Sequence, residues 1–350
     1  IIIFFYAFYL AAQFNGAGTV LRQTFGIPTF WGIVIGAVII VMYTMMGGFI
    51  AVAWTDVVQA VIMIGTLVIL PVVGLWELAQ RDPSALHSVS STAGSWTGGA
   101  TGLAAVAAVV SGLSWGFGYA GQPHTITRFM SIHHPDAIRV GRRVAVAWAL
   151  PAFGGAMVIG LVGARLYDVS SLADTEQLMP MMALDLLPGW LAGIFISGAV
   201  AAMMSTADSQ LLVGTSAFAE DVCHRGLGWK LSASQLVVLS RAVTLLLGLG
   251  GFSLAITSGE LIFALVSYAW SGLGSSFGPA VIFTLHWKRT TGPGVVAGMI
   301  TGAATTVLWS NLPINAVLHA RLVSFVLACV AIVIVSRWTQ PDRSGAGVDR

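Results

Sequence analysis

Apolar runs of about 20 residues recur along the whole chain, and each is long enough to cross a bilayer as a helix. Only 9% of the 350 residues are charged, whereas a soluble domain carries roughly a quarter. No polar shell is therefore available to cover a soluble core of this size. The fold class is all-α: a polytopic membrane protein whose first partner is the lipid bilayer. Cys223 and Cys329 are far apart, so neither a disulfide framework nor a metal-ligand spacing exists. The basic residues are scattered, which excludes a nucleic-acid partner, and no cofactor or obligate protein partner is indicated. His133-His134 are adjacent on a basic stretch, a poor ligand geometry, and read as solvated loop residues. Ile1-Ile2-Ile3 lie inside an apolar run with no charged n-region, so the start is no signal peptide and the chain is expected to begin inside a helix.

Ten spans are expected, at 1–20, 29–49, 56–78, 101–120, 144–166, 190–215, 234–256, 259–285, 293–312 and 316–336. With a cytoplasmic start, most basic residues fall on the cytoplasmic side, among them Arg128, Arg142, Arg143, Lys288 and Arg337. The other side holds only Arg22, Arg81, Arg165 and Arg321. That asymmetry follows the positive-inside rule and puts the C-terminus in the cytoplasm of a plasma-membrane protein. One transmembrane domain is expected over 1–338, followed by a short tail at 339–350.

Chemistry enters where polar groups interrupt the apolar runs. Residues 197–221 carry hydroxyls and a carboxylate in an apolar span. Ala202, Ser205 and Thr206 are spaced i, i+3, i+4 and share one helix face, with Asp208 a turn from Ser205. Two hydroxyls beside a backbone carbonyl are hard oxygen ligands for a small alkali cation; the same hydroxyls could instead bond their own preceding carbonyls. The small residues Gly198, Ala199 and Ala201 allow close helix approach. Asp56 follows Gly47-Gly48, which is expected to break the helix. It reads either as a capping acid at the start of the next span or as a negative charge at the cytoplasmic mouth of a cation path. Tyr9, among small and polar neighbours, reads as a packing seam or a substrate contact.

A second informative stretch is Ser111-Gly112-Leu113-Ser114-Trp115-Gly116-Phe117-Gly118-Tyr119-Ala120-Gly121-Gln122-Pro123-His124. Its glycines and proline cannot hold a regular helix. A broken helix at bilayer depth is tolerated where it is buried in protein or lines a cavity, and in transporters such breaks mark the substrate site. Trp115 and Tyr119 share a face there as aromatic walls. Residues 268–279 are again glycine-rich, with Pro279, and read as a bending gate helix. Asp168, Asp174, Glu176 and Asp185 fall in an external segment, as solvated acids or as a lure for cations.

The chain resembles the sodium:solute symporter family, and within it most closely the sodium/proline symporters. The likeness rests on Tyr43-Thr44 with Gly47-Gly48-Phe49, and on Trp54-Thr55-Asp56-Val57-Val58-Gln59. It rests also on Trp115-Gly116-Phe117-Gly118-Tyr119 with Gly121-Gln122-Pro123-His124, on Ala201-Ala202-Met203-Met204-Ser205-Thr206 with Gln210-Leu211-Leu212, and on Phe277-Gly278-Pro279. The resemblance implies a leucine-transporter-like core of two inverted repeats. It implies symport of sodium, as coupling ion, with L-proline by alternating access, and no enzymatic activity. Carried over by position, Ala202, Ser205 and Thr206 would hold sodium. Trp115, Tyr119, Pro123 and Tyr9 would bind substrate, and Asp56 would serve sodium binding or release. Asp208 departs from the family's small polar residue and could create a second cation or proton site. The first family spans are not in this chain, so a protein of these residues alone is expected to be transport-incompetent. The competing readings are a sodium symporter for pantothenate, a sugar or a short carboxylate, and a transporter-like sensor module.

Overall fold

The computed structural model describes residues 1–84, 97, 99–168, 172, 174–259 and 261–340. The tail at 341–350 and the whole stretch 85–96 lie outside these. Among the described residues the regular elements are all helical. They are α1 (Ile2–Phe25), α2 (Thr29–Arg81), α3 (Gly102–Leu113), α4 (Trp115–Tyr119), α5 (Pro123–Met130), α6 (Pro135–Leu166), α7 (Leu178–Leu186), α8 (Gly189–Ser216), α9 (Ala233–Thr257), α10 (Ile262–His286), α11 (Gly292–Ser310) and α12 (Ala320–Trp338).

Seven helical stretches among the described residues are long and apolar enough to cross a membrane. One is the 53-residue α2, which bends at Gly48 (φ 62°, ψ −173°) and so supplies two of the expected spans. Only glycine takes that backbone region without strain. α1 and α10 are also of spanning length, at 24 and 25 residues, but are richer in small and polar residues. Large apolar side chains such as Leu103, Met46, Trp54 and Leu285 stand exposed. A soluble protein seldom shows such a surface, whereas lipid covers it at no cost.

The chain forms two compact units, one of Ile1–Phe5, Thr97–Met130 and Ser267–Arg350, the other of Tyr6–Trp96 and Ser131–Val266. In the second unit α2 packs against α6 and α8. Glycine makes both approaches possible: a Cβ on Gly155 would strike the Leu67 carbonyl, and one on Gly198 would strike Thr66. The Thr66 hydroxyl donates to Phe195 O at 3.2 Å, tying α2 to α8. Leu70, Ile159, Val162, Met182, Phe195 and Ile196 form the apolar core around these crossings. In the first unit α11 and α12 pair along their length, and Gly294, Gly298 and Gly302 line one buried face of α11.

α10 runs through Pro279 as one element, and its glycines allow close packing: a Cβ on Gly274 would strike Gly118, and Gly278 lies against the Phe117 carbonyl. The span expected at 190–215 is α8, and beyond it the chain continues in π-helical bonding over Ala217–Gly226. His134 is not merely solvated, because its Nδ1 accepts the Asp136 N–H at 3.3 Å and caps α6.

Gly155→Val should lower the thermal midpoint of the detergent-purified protein, with an overpacking cost of about 1–3 kcal/mol. Gly160→Ala, where a methyl meets open space on the same helix, should be neutral or slightly stabilising.

Candidate functional site

The face predicted on α8 is present. The Ser205 hydroxyl donates to Ala202 O at 3.1 Å and the Thr206 hydroxyl to the same carbonyl at 2.9 Å. Both hydroxyls therefore lie within one hydrogen-bond length of the Ala202 carbonyl, half-buried on the helix. Ser209 continues the face and donates to Ser205 O at 2.8 Å. Threonine and serine back-bonding of this kind is a local property of helices, so the grouping is set by spacing alone.

Asp208 is fully buried. It accepts a hydrogen bond from the Tyr43 hydroxyl of α2, and Ser209 Oγ lies 3.1 Å from its carboxylate, which shares the Ser209 hydroxyl proton with Ser205 O. Sequence spacing gave no hint of Tyr43, because the two residues are distant in the chain and meet only when α2 packs on α8. Beside Asp208, Gln210 is fully buried with neither amide atom hydrogen-bonded among the described residues. Asp56 lies half-buried on α2, about two turns beyond Gly48. It does not open a span, because the helix resumes directly after the one glycine, and helix-start capping is excluded as its role. Tyr9 is buried in α1, and Gln13 donates to its carbonyl at 3.5 Å. These residues share the second unit with α8.

The expected substrate aromatics lie in the first unit. The helix is broken twice, at Ser114 and at Ala120–Gln122, giving α3, α4 and α5. Pro123 opens α5 and is buried, a position where its missing N–H costs nothing. Gln122 offsets part of the break: its amide donates to Gly118 O at 3.2 Å and to Trp270 O at 3.5 Å. Trp115 and Tyr119 both pack on Trp270, with ring centroids 5.6 and 4.7 Å away, and Trp270 donates its indole N–H to Trp115 O at 3.2 Å. Tyr119, with Phe129, Met130 and Thr284, lines a mostly apolar cavity of about 630 Å³; Trp115 does not line it. Trp270 was missed in the sequence because its role depends on the seam between α4 and α10.

A polar cavity of about 400 Å³ in the second unit is lined by Asn15, Thr19, Thr29, Asp174 and Glu176. Glu176 is more than a solvated acid. Its carboxylate accepts the N–H groups of Ile262 and Phe263 at 3.0 and 2.9 Å, capping the start of α10. Asp185 accepts the Tyr167 hydroxyl at 2.8 Å. Burial, reinforced by that carboxylate, raises the Tyr167 phenol above its ordinary pKa. The Glu176→Ala variant should lose both charge-assisted bonds, each worth about 1.5–3 kcal/mol. Hydrogen exchange at the Ile262 and Phe263 amides should then speed by tenfold or more, roughly the factor for 1.4 kcal/mol, with Glu176→Gln intermediate.

The family model of the sodium:solute symporter family matches residues 1–302. The chain is 34% identical to the high-affinity proline transporter PutP of Bacillus subtilis, over 97% of this chain and 72% of that protein. It is 33% identical to the osmoregulated proline transporter OpuE of the same organism, covering 97% and 70%. It is 34% identical to the sodium/proline symporter of Escherichia coli, covering 96% and 68%. Among solved structures, a Na+-coupled sialic acid symporter in a substrate-bound, outward-open state superposes with a TM-score of 0.73, over 97% of this chain and 73% of that one. At 18% identity that match shows the fold, a leucine-transporter-like helical bundle. The matches cover the hydroxyl helix and the broken aromatic span alike, and the chain belongs to the sodium:solute symporter family.

Proposed function

We propose that the protein carries L-proline into the cell together with sodium, across the plasma membrane, with its C-terminus in the cytoplasm. The observation that carries this reading is identity of about a third, over nearly the whole chain, to several relatives named for proline transport. The Lys and Arg asymmetry supports the orientation.

In this reading the Ala202 carbonyl and the Ser205 and Thr206 hydroxyls supply one side of a sodium site. Their mutual hydrogen bonds hold three oxygens in place before the ion arrives, so little ordering remains to be done on binding. Trp115, Tyr119, Pro123 and Tyr9 form the substrate's surroundings. The voltage alone contributes about 2.3 kcal/mol per charge per 100 mV to inward movement of the ion. Asp56 serves sodium release. Asp208, buried with hydroxyl partners, adds a negative charge that a further cation or a proton neutralises, and so sets the coupling ratio.

Uptake of labelled L-proline into vesicles bearing the full-length protein should require sodium and resist competition by pantothenate, sugars and short carboxylates. Sodium-dependent uptake of one of those solutes instead would replace the substrate. No uptake of any of them would favour the sensor module. Ser205→Ala and Thr206→Ala should each raise the sodium concentration for half-maximal uptake by roughly 5–30-fold, the factor for 1–2 kcal/mol. Ser253→Ala, at an exposed site where the hydroxyl donates to Leu249 O at 2.8 Å, should not. Equal effects from all three would remove the assignment.

A further inference from the structure

Arg321 was expected at the edge of the membrane, as one of the few basic residues of its side. The structure buries it instead, with 5% of its surface exposed, at the start of α12. No carboxylate lies within ion-pair distance of it among the described residues. Its contacts are dipoles and a ring. Nε donates to Ser114 Oγ at 3.0 Å and to Ser111 O at 3.3 Å, and one terminal nitrogen donates to Ser267 Oγ at 3.0 Å. The guanidinium carbon stands 4.5 Å from the centre of the Trp115 ring. A guanidinium has five N–H groups in a fixed fork suited to anions, and the second terminal nitrogen makes no hydrogen bond among the described residues.

A buried charge without a partner of opposite sign is an expensive arrangement, and hydroxyls and a ring face offset only part of it. The neighbouring groups do not supply the missing charge. Ser111 and Ser114 are buried hydroxyls, and Ser114 donates to Ser111 O at 2.5 Å, leaving its lone pairs to the arginine. The local charge is positive, and the hydroxyls nearest the guanidinium accept from it.

We propose that the Arg321 guanidinium, beside Ser114, Ser267 and Trp115, forms a binding site for a small monoanion next to the broken span. Its occupant is a halide or the carboxylate of a small solute. The halide alternative is independent of the transport reading; only the solute alternative rests on it.

Bromide titration of tryptophan fluorescence on the purified full-length protein tests this. Sodium is held constant and bromide replaces methanesulfonate at fixed ionic strength. A heavy halide held by Arg321 within reach of Trp115 gives a saturable quenching phase above the linear collisional one. The expected result is that this phase is present in the native protein and absent in Trp115→Phe and Arg321→Gln. In Arg321→Lys, which keeps the charge but loses the fork, it should weaken several-fold. If Arg321→Gln does not fold, the phenylalanine and lysine variants carry the comparison. Displacement of the phase by L-proline but not by prolinamide assigns the site to a solute carboxylate; no displacement by either assigns it to halide. Linear quenching alone in the native protein, or a saturable phase unchanged in Arg321→Lys and Trp115→Phe, would overturn the proposal.

Discussion

In hydrocarbon a backbone N–H or C=O has no water to turn to, and each must find its partner inside the protein. That demand makes the chain helical, and it decides what happens wherever a helix stops short. At the broken span the repair is done by side chains: the Gln122 amide takes up Gly118 O and Trp270 O, Ser114 takes up Ser111 O, and Arg321 takes up Ser111 O from a helix far along the chain. The break persists because these groups are in place. Glycine adds the second requirement, close approach, at Gly118 and Gly121 against Gly274 and Gly278. The same economy appears in the second unit, where Gly155 and Gly198 bring α6 and α8 onto α2. A membrane helix gains nothing from burying apolar surface against another, so packing contact and hydrogen bonds such as Thr66 to Phe195 O must hold the bundle.

Features set by neighbours within one helix could be read from the sequence. Ala202, Ser205 and Thr206 fall together because three- and four-residue spacing guarantees it, and the break near 112–123 announces itself by composition. Features made by packing between distant segments were hidden. Asp208 could be seen as an anomaly, but its Tyr43 partner could not. Glu176 read as a loop acid until α10 was found to begin on its carboxylate. Arg321 read as an interfacial charge, because a basic residue beside a helix end usually lies there; its hosts at 111–115 and 267 lie elsewhere in the sequence. Asp56 was placed at a helix start because Gly47-Gly48 looked like a stop, whereas one glycine at positive φ bends α2 and lets the helix continue.

The polar inventory falls into two kinds of chemistry. In the second unit the conspicuous groups are oxygens, from the α8 hydroxyls to Asp208 and Asp56, and they suit cations. In the first unit they are an arginine and the indole and phenol rings beside a twice-broken helix, which suit an anion or a small zwitterion with an apolar ring. A symporter for an alkali cation and an amino acid needs both, and membership of the sodium:solute symporter family gives them a common purpose.

The central claim is that solute and sodium movement are one event, and coupled flux tests it most directly. In proteoliposomes containing the full-length protein, entry of labelled sodium and labelled L-proline would be followed together, with the sodium gradient imposed or collapsed. The account predicts accumulation of proline above its external concentration only while the gradient stands, with sodium entering in a fixed ratio to it. Proline that merely equilibrates at the same rate with and without the gradient, or sodium entry indifferent to proline, would contradict it.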